Sequence, residues 1–231
     1  MQKKYLIIFM ISCTTLNSCR VADVYTPAMV LKNPSFIVSL PKEGRLVNDK
    51  PVGSGWINLI ASMDGWNFEK QNWVLDSGIL HGDYYGGKTH SYAYTKTSYT
   101  NFELHAVVRM SGKGANSGVC IRINPTDFDN VPGYQVDMGP GYWGCLWDER
   151  REGMVVKYPA ELADKLVNEN GWNHYYIVAK DHHIQAWLNG VNTIDTVHVK
   201  GLSEGPIGLQ LCHGDKHTVV DVKILSVRII N

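Results

Sequence analysis

The sequence has no excess of charge of either sign. Its 231 residues carry 22 Lys and Arg against 22 Asp and Glu, so the formal net charge is zero with the histidines neutral. There is neither a basic imbalance nor a nucleic-acid motif, which argues against DNA or RNA as a partner. Cysteine is scarce: the five in the chain include no CxxC pair, so neither a zinc ribbon nor a dithiol redox centre is encoded. Beyond the N-terminal stretch no apolar run is long enough to cross a bilayer as a helix. Internal repeats and low-complexity tracts are also lacking. What is abundant is glycine, 22 residues, and aromatic side chains, 10% of the chain, a balance that favours a turn-rich β protein. A chain of this length supports one sizeable core, and all-β sandwiches of about 200–250 residues commonly fold as single domains.

The N-terminus reads as an export signal. Lys3 and Lys4 form a basic start, and "YLIIFMI" begins an apolar stretch too short for a stable span. The following "LNSC", Leu16 to Cys19, resembles a bacterial lipobox. That resemblance implies removal of residues 1–18 and a lipid on the Cys19 sulfur, hence a protein held at a cell-envelope membrane, in the periplasm or on the cell surface. An ordinary cleaved signal is the alternative. Cys13 leaves with the signal, and Cys120, Cys145 and Cys212 remain in the folded part. An odd number leaves at least one thiol unpaired within the chain, and most of the three read best as small buried hydrophobes.

Residues 19–52, with Pro27, Pro34, Pro41 and Pro51, read as a tether and extended lead-in, with one short strand at "SFIVSL". From Gly53 onward short β-type runs alternate with Gly, Asn and Asp. In "FELHAVVRM" Phe102, Leu104, Ala106, Val108 and Met110 share one face. "SGVCIRI" sets Val119, Ile121 and Ile123 against Cys120 and Arg122, and "YQVDM" sets Tyr134, Val136 and Met138 against Gln135 and Asp137. "HYYIVAK" and "HIQAWLNG" form a hairpin turned at Asp181 and His182. "IGLQLC" and "TVVDVKILSVRII" complete the strands, and only "AELADKLVNEN" has a helical pattern, through Leu162, Leu166 and Val167. The pattern predicts a β-sandwich of two antiparallel sheets with one short helical insert.

The period of two turns Arg122, Gln135 and Asp137 away from the core, and likewise Trp187 and Gln210. A solvated outer face explains such residues by itself. Amides and guanidinium groups also suit sugar hydroxyls, and an aromatic ring suits the apolar side of a pyranose, so the same face serves as a carbohydrate groove.

Several blocks, in order, carry a family resemblance. "GWINLIASMDGW", "NWVLDSGILHG", "YTKTSYTNFELHAVVRM", "NSGVCIR", "GYQVDMG…WGCLWDERREG", "GWNHYYIVAKDHHIQAWLNG" and "GPIGLQLCHG" together resemble the 3-keto-disaccharide hydrolase family over residues 53–231. Trp147 stands where that family usually has Tyr, "ASMDGW" lacks its usual Phe, and Cys120 and Cys145 replace commoner residues. The resemblance implies a concanavalin A-like (lectin/glucanase) jelly-roll sandwich acting on 3-keto-glycosides by elimination, hydration or net hydrolysis. Such chemistry needs a base for the C2 hydrogen, a stabiliser for the C3 oxygen and an acid for the leaving group. Glu149, Asp137, Arg122 and His213 are the candidates for these roles, with Glu149 favoured as base. Gln135, Asp148, Trp147, Trp187, Gln210, Asn116 and Tyr142 are the candidates for substrate binding. Asp148 and Glu149 precede Arg150 and Arg151, so loop ion pairing is the plainer account of them. A divalent metal, calcium included, is left open, since Asp137, Asp148, Glu149 and His213 offer ligands without a metal-site spacing. A non-catalytic carbohydrate-binding module is the second reading. A conventional glycosidase is the third, disfavoured because its paired carboxylates in an ExDxxE run are absent.

Overall fold

A computed structural model describes residues 39–231, apart from 86 and 213–216. The signal region with Cys19, the "SFIVSL" run through residue 38, and His213 lie outside the described residues.

Two large antiparallel sheets form a sandwich, as the strand pattern predicts. One has seven strands, in the order Gly153–Val156, Leu146–Glu149, Gly133–Met138, Ser117–Ile121, Gly208–Leu211, Ser91–Thr95 and Trp66–Asn67. The other has eight. Seven follow the order Val191–Val197, His183–Leu188, Asn173–Lys180, Phe102–Ser111, His217–Ile229, Ile79–Tyr85 and Trp73–Asp76, and Ile57–Asn58 pairs beside His217–Ile229. Alternation decides which side chains meet between the sheets. Leu104, Ala106, Val108, Val119, Ile121, Tyr134, Val136, Met138, Ile184, Ala186 and Leu188 all lie in one buried cluster. The helical insert is a single turn, Ala160–Ala163. Ala163 is its buried residue, while Leu166 and Val167 reach the core from beyond its end, so the expected stripe is carried mostly by irregular chain. Among the described residues no helix is long and apolar enough to cross a membrane.

The packed part of the chain begins before residue 53. Leu46–Val47 pairs with Lys50–Pro51, and Leu46 packs against Val107 and Ile224 on the outer face of the eight-stranded sheet. Just upstream, the Glu43 carbonyl accepts a 3.0 Å hydrogen bond from His105 Nε2. The proton on Nε2 leaves Nδ1 as the acceptor facing His174 Nε2, 2.8 Å away. Both imidazoles are buried, and burial pulls both below the ordinary histidine value, His105 to about 4. A histidine kept neutral in the fold but protonated in the unfolded chain contributes stability that is complete above about pH 6.5 and lost on the way down to pH 4. Urea unfolding is expected to show this acid slope, worth about 3 kcal/mol for His105. A His105→Gln variant, which keeps a polar side chain without titrating, should flatten it.

One strand departs from alternation, with consequences for the site. Val119 and Ile121 face the core, as expected, but Ile123 lies in a separate cluster with Tyr92, Cys120 and Val131 on the outer face. The break is at Arg122, whose φ of 49° falls in the left-handed region and reverses the parity of the residues after it. Gly205 makes the bend feasible: a Cβ there would sit 2.3 Å from the Ile123 carbonyl oxygen.

Candidate active site

The outer face of the seven-stranded sheet holds a cavity of about 200 Å³. It is lined by His90, Asn116, Gln135, Asp137, Tyr142, Trp147, Glu149, Gln210 and Cys212. Neighbouring strands supply most of these residues in register. Gln135 pairs with Trp147, Gly133 with Glu149, and Asp137 with Gly118. Side chains two apart on one strand, and opposite on the next, therefore converge on the same side of the sheet.

Asp137 forms the floor. Only 4% of it is exposed, and burial pushes its carboxyl up to about 7, helped by the negative charge of Glu149. Hydrogen bonds from the Met138 backbone, Gln135 and Asn116 hold the shift back. The Asn116 amide approaches Asp137 Oδ1 at 3.4 Å. From the core side Tyr175 donates to the Asp137 carbonyl at 2.8 Å and accepts from the Gly144 N–H at 3.2 Å, which fixes the backbone beneath the carboxyl. Gly118, across from Asp137, leaves the room that Gln135 occupies: a Cβ on it would lie 2.3 Å from Gln135 Cγ.

Glu149 stands nearer the rim, half-buried. Burial raises its carboxyl and the neighbouring Arg150 restrains the rise. Tyr142 and Trp147 form an aromatic wall, their ring centroids 6.2 Å apart at 55°. Tyr142 is 44% exposed and thus available to a ligand.

Of the residues picked from the sequence, Glu149, Asp137, Gln135, Trp147, Gln210, Asn116 and Tyr142 meet in this cavity. Three do not. Arg122 is fully buried away from it, donating from Nε to the Thr100 carbonyl at 2.8 Å and from Nη1 to the Asp181 carbonyl at 2.5 Å. The left-handed turn at its own backbone removes it from the groove face. Asp148 follows Trp147 and so points to the opposite side of its strand, where Arg151 Nε binds it at 3.1 Å. The expected loop ion pairing thus holds for Asp148 and not for Glu149. Trp187 is an outward residue of the other sheet, packed on Tyr176 at 5.4 Å. The period of two gives the face of a residue but not the sheet to which its strand belongs.

His90 and Cys212 were missed as lining residues, and Tyr92 as the residue beneath them. "HSYAYT" alternates His90, Tyr92 and Tyr94 against Ser91, Ala93 and Thr95, and this run holds the signal that would have found His90. Cys120, Cys145 and Cys212 are all buried and none forms a disulfide, in keeping with their reading as small hydrophobes. Among the described residues no three His, Cys, Asp or Glu side chains gather as a metal-binding set. Of the four candidate metal ligands, Asp137 and Glu149 line the cavity, Asp148 points away from it to Arg151, and His213 lies outside the described residues.

Residues 55–228 match the family described as the 3-keto-alpha-glucoside-1,2-lyase-like domain. The chain belongs to this family. The fold of this chain agrees with that of solved structures. A proposed glycosyl hydrolase from Parabacteroides distasonis ATCC 8503 gives a TM-score of 0.57 at 22% identity, covering 77% of this chain and 100% of that one. The carbohydrate-binding module CBM66 from Bacillus subtilis gives 0.53 at 15% identity, covering 71% and 95%. The exoplasmic/lumenal domain of VIP36, in a Ca2+- and Man3GlcNAc-bound form, gives 0.52 at 11%, covering 77% and 89%. At these identities the likeness is one of fold, a jelly-roll sandwich of the lectin/glucanase type. No curated protein matches the chain. Membership in the 3-keto-glucoside lyase-like family places this protein among carbohydrate-active proteins.

Proposed function

We propose that the protein acts on 3-keto-glycosides, eliminating across C1–C2 and adding water to the product, with net glycoside hydrolysis. The observation that carries this reading is the pair of unlike carboxyls in one cavity. Asp137, on the floor, keeps its proton up to about pH 7, and the charge of Glu149 contributes to that rise. We assign the earlier ionisation to Glu149, which stands nearer the rim and beside the restraining charge of Arg150. Two carboxyls whose environments separate their titrations provide a base and an acid at one pH.

The chemistry starts from the C3 ketone, which acidifies the C2 hydrogen. Glu149 takes that proton and the electron pair moves into the C2–C3 bond and onto the C3 oxygen. Asp137 donates its proton to this oxygen as charge develops. The electron pair then returns, the C1–O bond breaks, and the departing oxygen takes the proton from Glu149 while Asp137 recovers its own. Water adds at C1 by the reverse sequence. Gln135, Gln210, Asn116 and His90 present donors and acceptors to ring hydroxyls, and Tyr142 with Trp147 covers an apolar sugar face. Export and lipid attachment at Cys19 belong to the same proposal.

The test is turnover of a chromogenic 3-keto-glucoside beside the matching plain glucoside, in D2O, followed by NMR. The expected result is turnover of the keto sugar only, with deuterium at C2. A Glu149→Gln variant should lose about 10²–10⁴-fold in kcat and the acid limb of the pH profile. Binding without turnover would instead support a carbohydrate-binding module. Hydrolysis of the plain glucoside without C2 exchange would support a conventional glycosidase.

A further inference from the structure

One buried hydroxyl from the opposite sheet enters the hairpin that carries the aromatic wall. The hairpin runs from Gly133–Met138 through a turn to Leu146–Glu149, with Gln135 opposite Trp147. Two residues further along, Asp137 and Cys145 face each other. In a regular antiparallel ladder such a pair exchanges two backbone hydrogen bonds. Here the Asp137 N–H donates to the Cys145 carbonyl at 3.1 Å, but the Cys145 N–H turns to the Tyr142 carbonyl at 3.0 Å. The Asp137 carbonyl accepts instead from the Tyr175 hydroxyl at 2.8 Å, and that hydroxyl oxygen accepts from the Gly144 N–H at 3.2 Å. Both roles of the hydroxyl are fixed by its partners, since a carbonyl only accepts and an N–H only donates.

Tyr175 belongs to Asn173–Lys180 in the eight-stranded sheet and is fully buried. Its ring holds the turn as well: Trp143 stacks on it with centroids 6.3 Å apart at 13°. Gly144, with φ of 75°, lets the turn lie close on the same sheet, because a Cβ there would stand 2.9 Å from Thr193 Cβ. Trp143 joins the core, while its neighbour Tyr142 lines the cavity beside Trp147. Without the hydroxyl a buried carbonyl and a buried N–H lose their partner, and closing the ladder over them requires the turn to move. We propose that Tyr175 is a positioning residue: by replacing one ladder bond with a hydroxyl bridge, it holds the turn of residues 139–145 in the bend that places Tyr142 over the cavity. Its bearing on turnover rests on the proposed carbohydrate chemistry, in which Tyr142 covers a sugar face.

The position of Tyr142 can be read without substrate. Its ring centroid is 6.2 Å from that of Trp147, so ring–ring NOEs are expected in the wild-type chain. They should vanish in Tyr175→Phe, with near-UV circular dichroism to check folding. Ile177→Val trims the same core from the same strand without touching the bridge and should keep them. In the wild type itself the Gly144 amide should exchange at least about 10²-fold more slowly than a free peptide amide. NOEs that persist in folded Tyr175→Phe, or that Ile177→Val abolishes equally, would overturn the proposal. An unprotected Gly144 amide would overturn it too, and that result is read on wild type whether or not Tyr175→Phe folds. With a 3-keto-glucoside, Tyr175→Phe should raise KM about tenfold and change kcat less, because an aromatic face binds ground and transition states alike. Tyr142→Ala should raise KM at least as far, and adding Tyr175→Phe to it should raise KM no further. KM effects that multiply in the double variant would count against the bridge acting through Tyr142 and overturn the proposal. If the wild-type chain turns over no 3-keto-glucoside, the catalytic reading fails, while the NOEs and the amide exchange still decide the role of Tyr175.

Discussion

Asp137→Asn is expected to cost about 10²–10⁴-fold in kcat on a 3-keto-glucoside while making the folded protein more stable at pH 8. The two halves have one cause. Asp137 is almost fully buried, and its carboxyl is held at about 7 chiefly by desolvation. Its proton is therefore available near neutrality, where an exposed aspartate would have none to give. Asn offers an N–H of similar size to the C3 oxygen but no proton to transfer. Activity should fall and the alkaline limb, set by loss of the Asp137 proton, should vanish from the pH profile. The acid limb, set by Glu149, should persist.

The stability half comes from linkage. A carboxyl at about 7 in the fold and about 3.8 in the unfolded chain binds protons more tightly when folded. Its favourable contribution is complete below pH 3.8 and is lost as pH rises through 7. At pH 8 the ionised group burdens the fold by up to a few kcal/mol, an upper bound for a site that admits water and donors. Urea unfolding of wild type and Asp137→Asn at pH 5 and pH 8 checks this. The variant's advantage should be larger at pH 8. An equal difference at both values would mean that Asp137 titrates like an ordinary aspartate, and its role as proton donor would fall with it.

The pattern of residues reached the fold more readily than the site. Alternation in "FELHAVVRM", "YQVDM" and "HIQAWLNG" was enough to sort core from surface, because each strand buries one face on the shared cluster. It also placed Gln135, Asp137 and Gln210 on one outer face, where the cavity lies. It could not say that Trp187 belongs to the other sheet, since sheet order depends on long-range pairing. Nor could it show that Asp148 binds Arg151 while Glu149 reaches the cavity. That difference rests on one residue of parity in a four-residue strand. Arg122 was misplaced for a local reason: an L-residue with φ of 49° is uncommon, and nothing in "CIRINP" announces it. The two glycines that accommodate the bend, Gly133 and Gly205, are distant in the chain and close only after folding.

Arg122 is accordingly expected to fail in stability, not in chemistry. Its guanidinium binds the Thr100 carbonyl through Nε and Nη2, the Asp181 carbonyl through Nη1, and Asn101 Oδ1 through Nη2. These acceptors come from the approach to the Phe102–Ser111 strand and from the turn after Asn173–Lys180, both in the eight-stranded sheet. A residue of the seven-stranded sheet's margin thus ties the end of one sheet to the other. Arg122→Ala takes the donor from the Thr100 and Asp181 carbonyls and leaves a void where the buried side chain lay on Phe102. Together these should cost about 3–5 kcal/mol, or roughly 10 °C in melting temperature for a domain of this size. Lys at this position cannot supply the planar fork that reaches three acceptors, so Arg122→Lys should recover little. Arg122→Gly relieves the positive φ and should fall less far than Ala by about 1 kcal/mol. Thermal melts of the three variants give the ranking. Below the melting range, the remaining folded Arg122→Ala protein should keep the Asp137 titration and most of the wild-type turnover per folded molecule. A folded variant of normal stability that had lost turnover would return Arg122 to the active site.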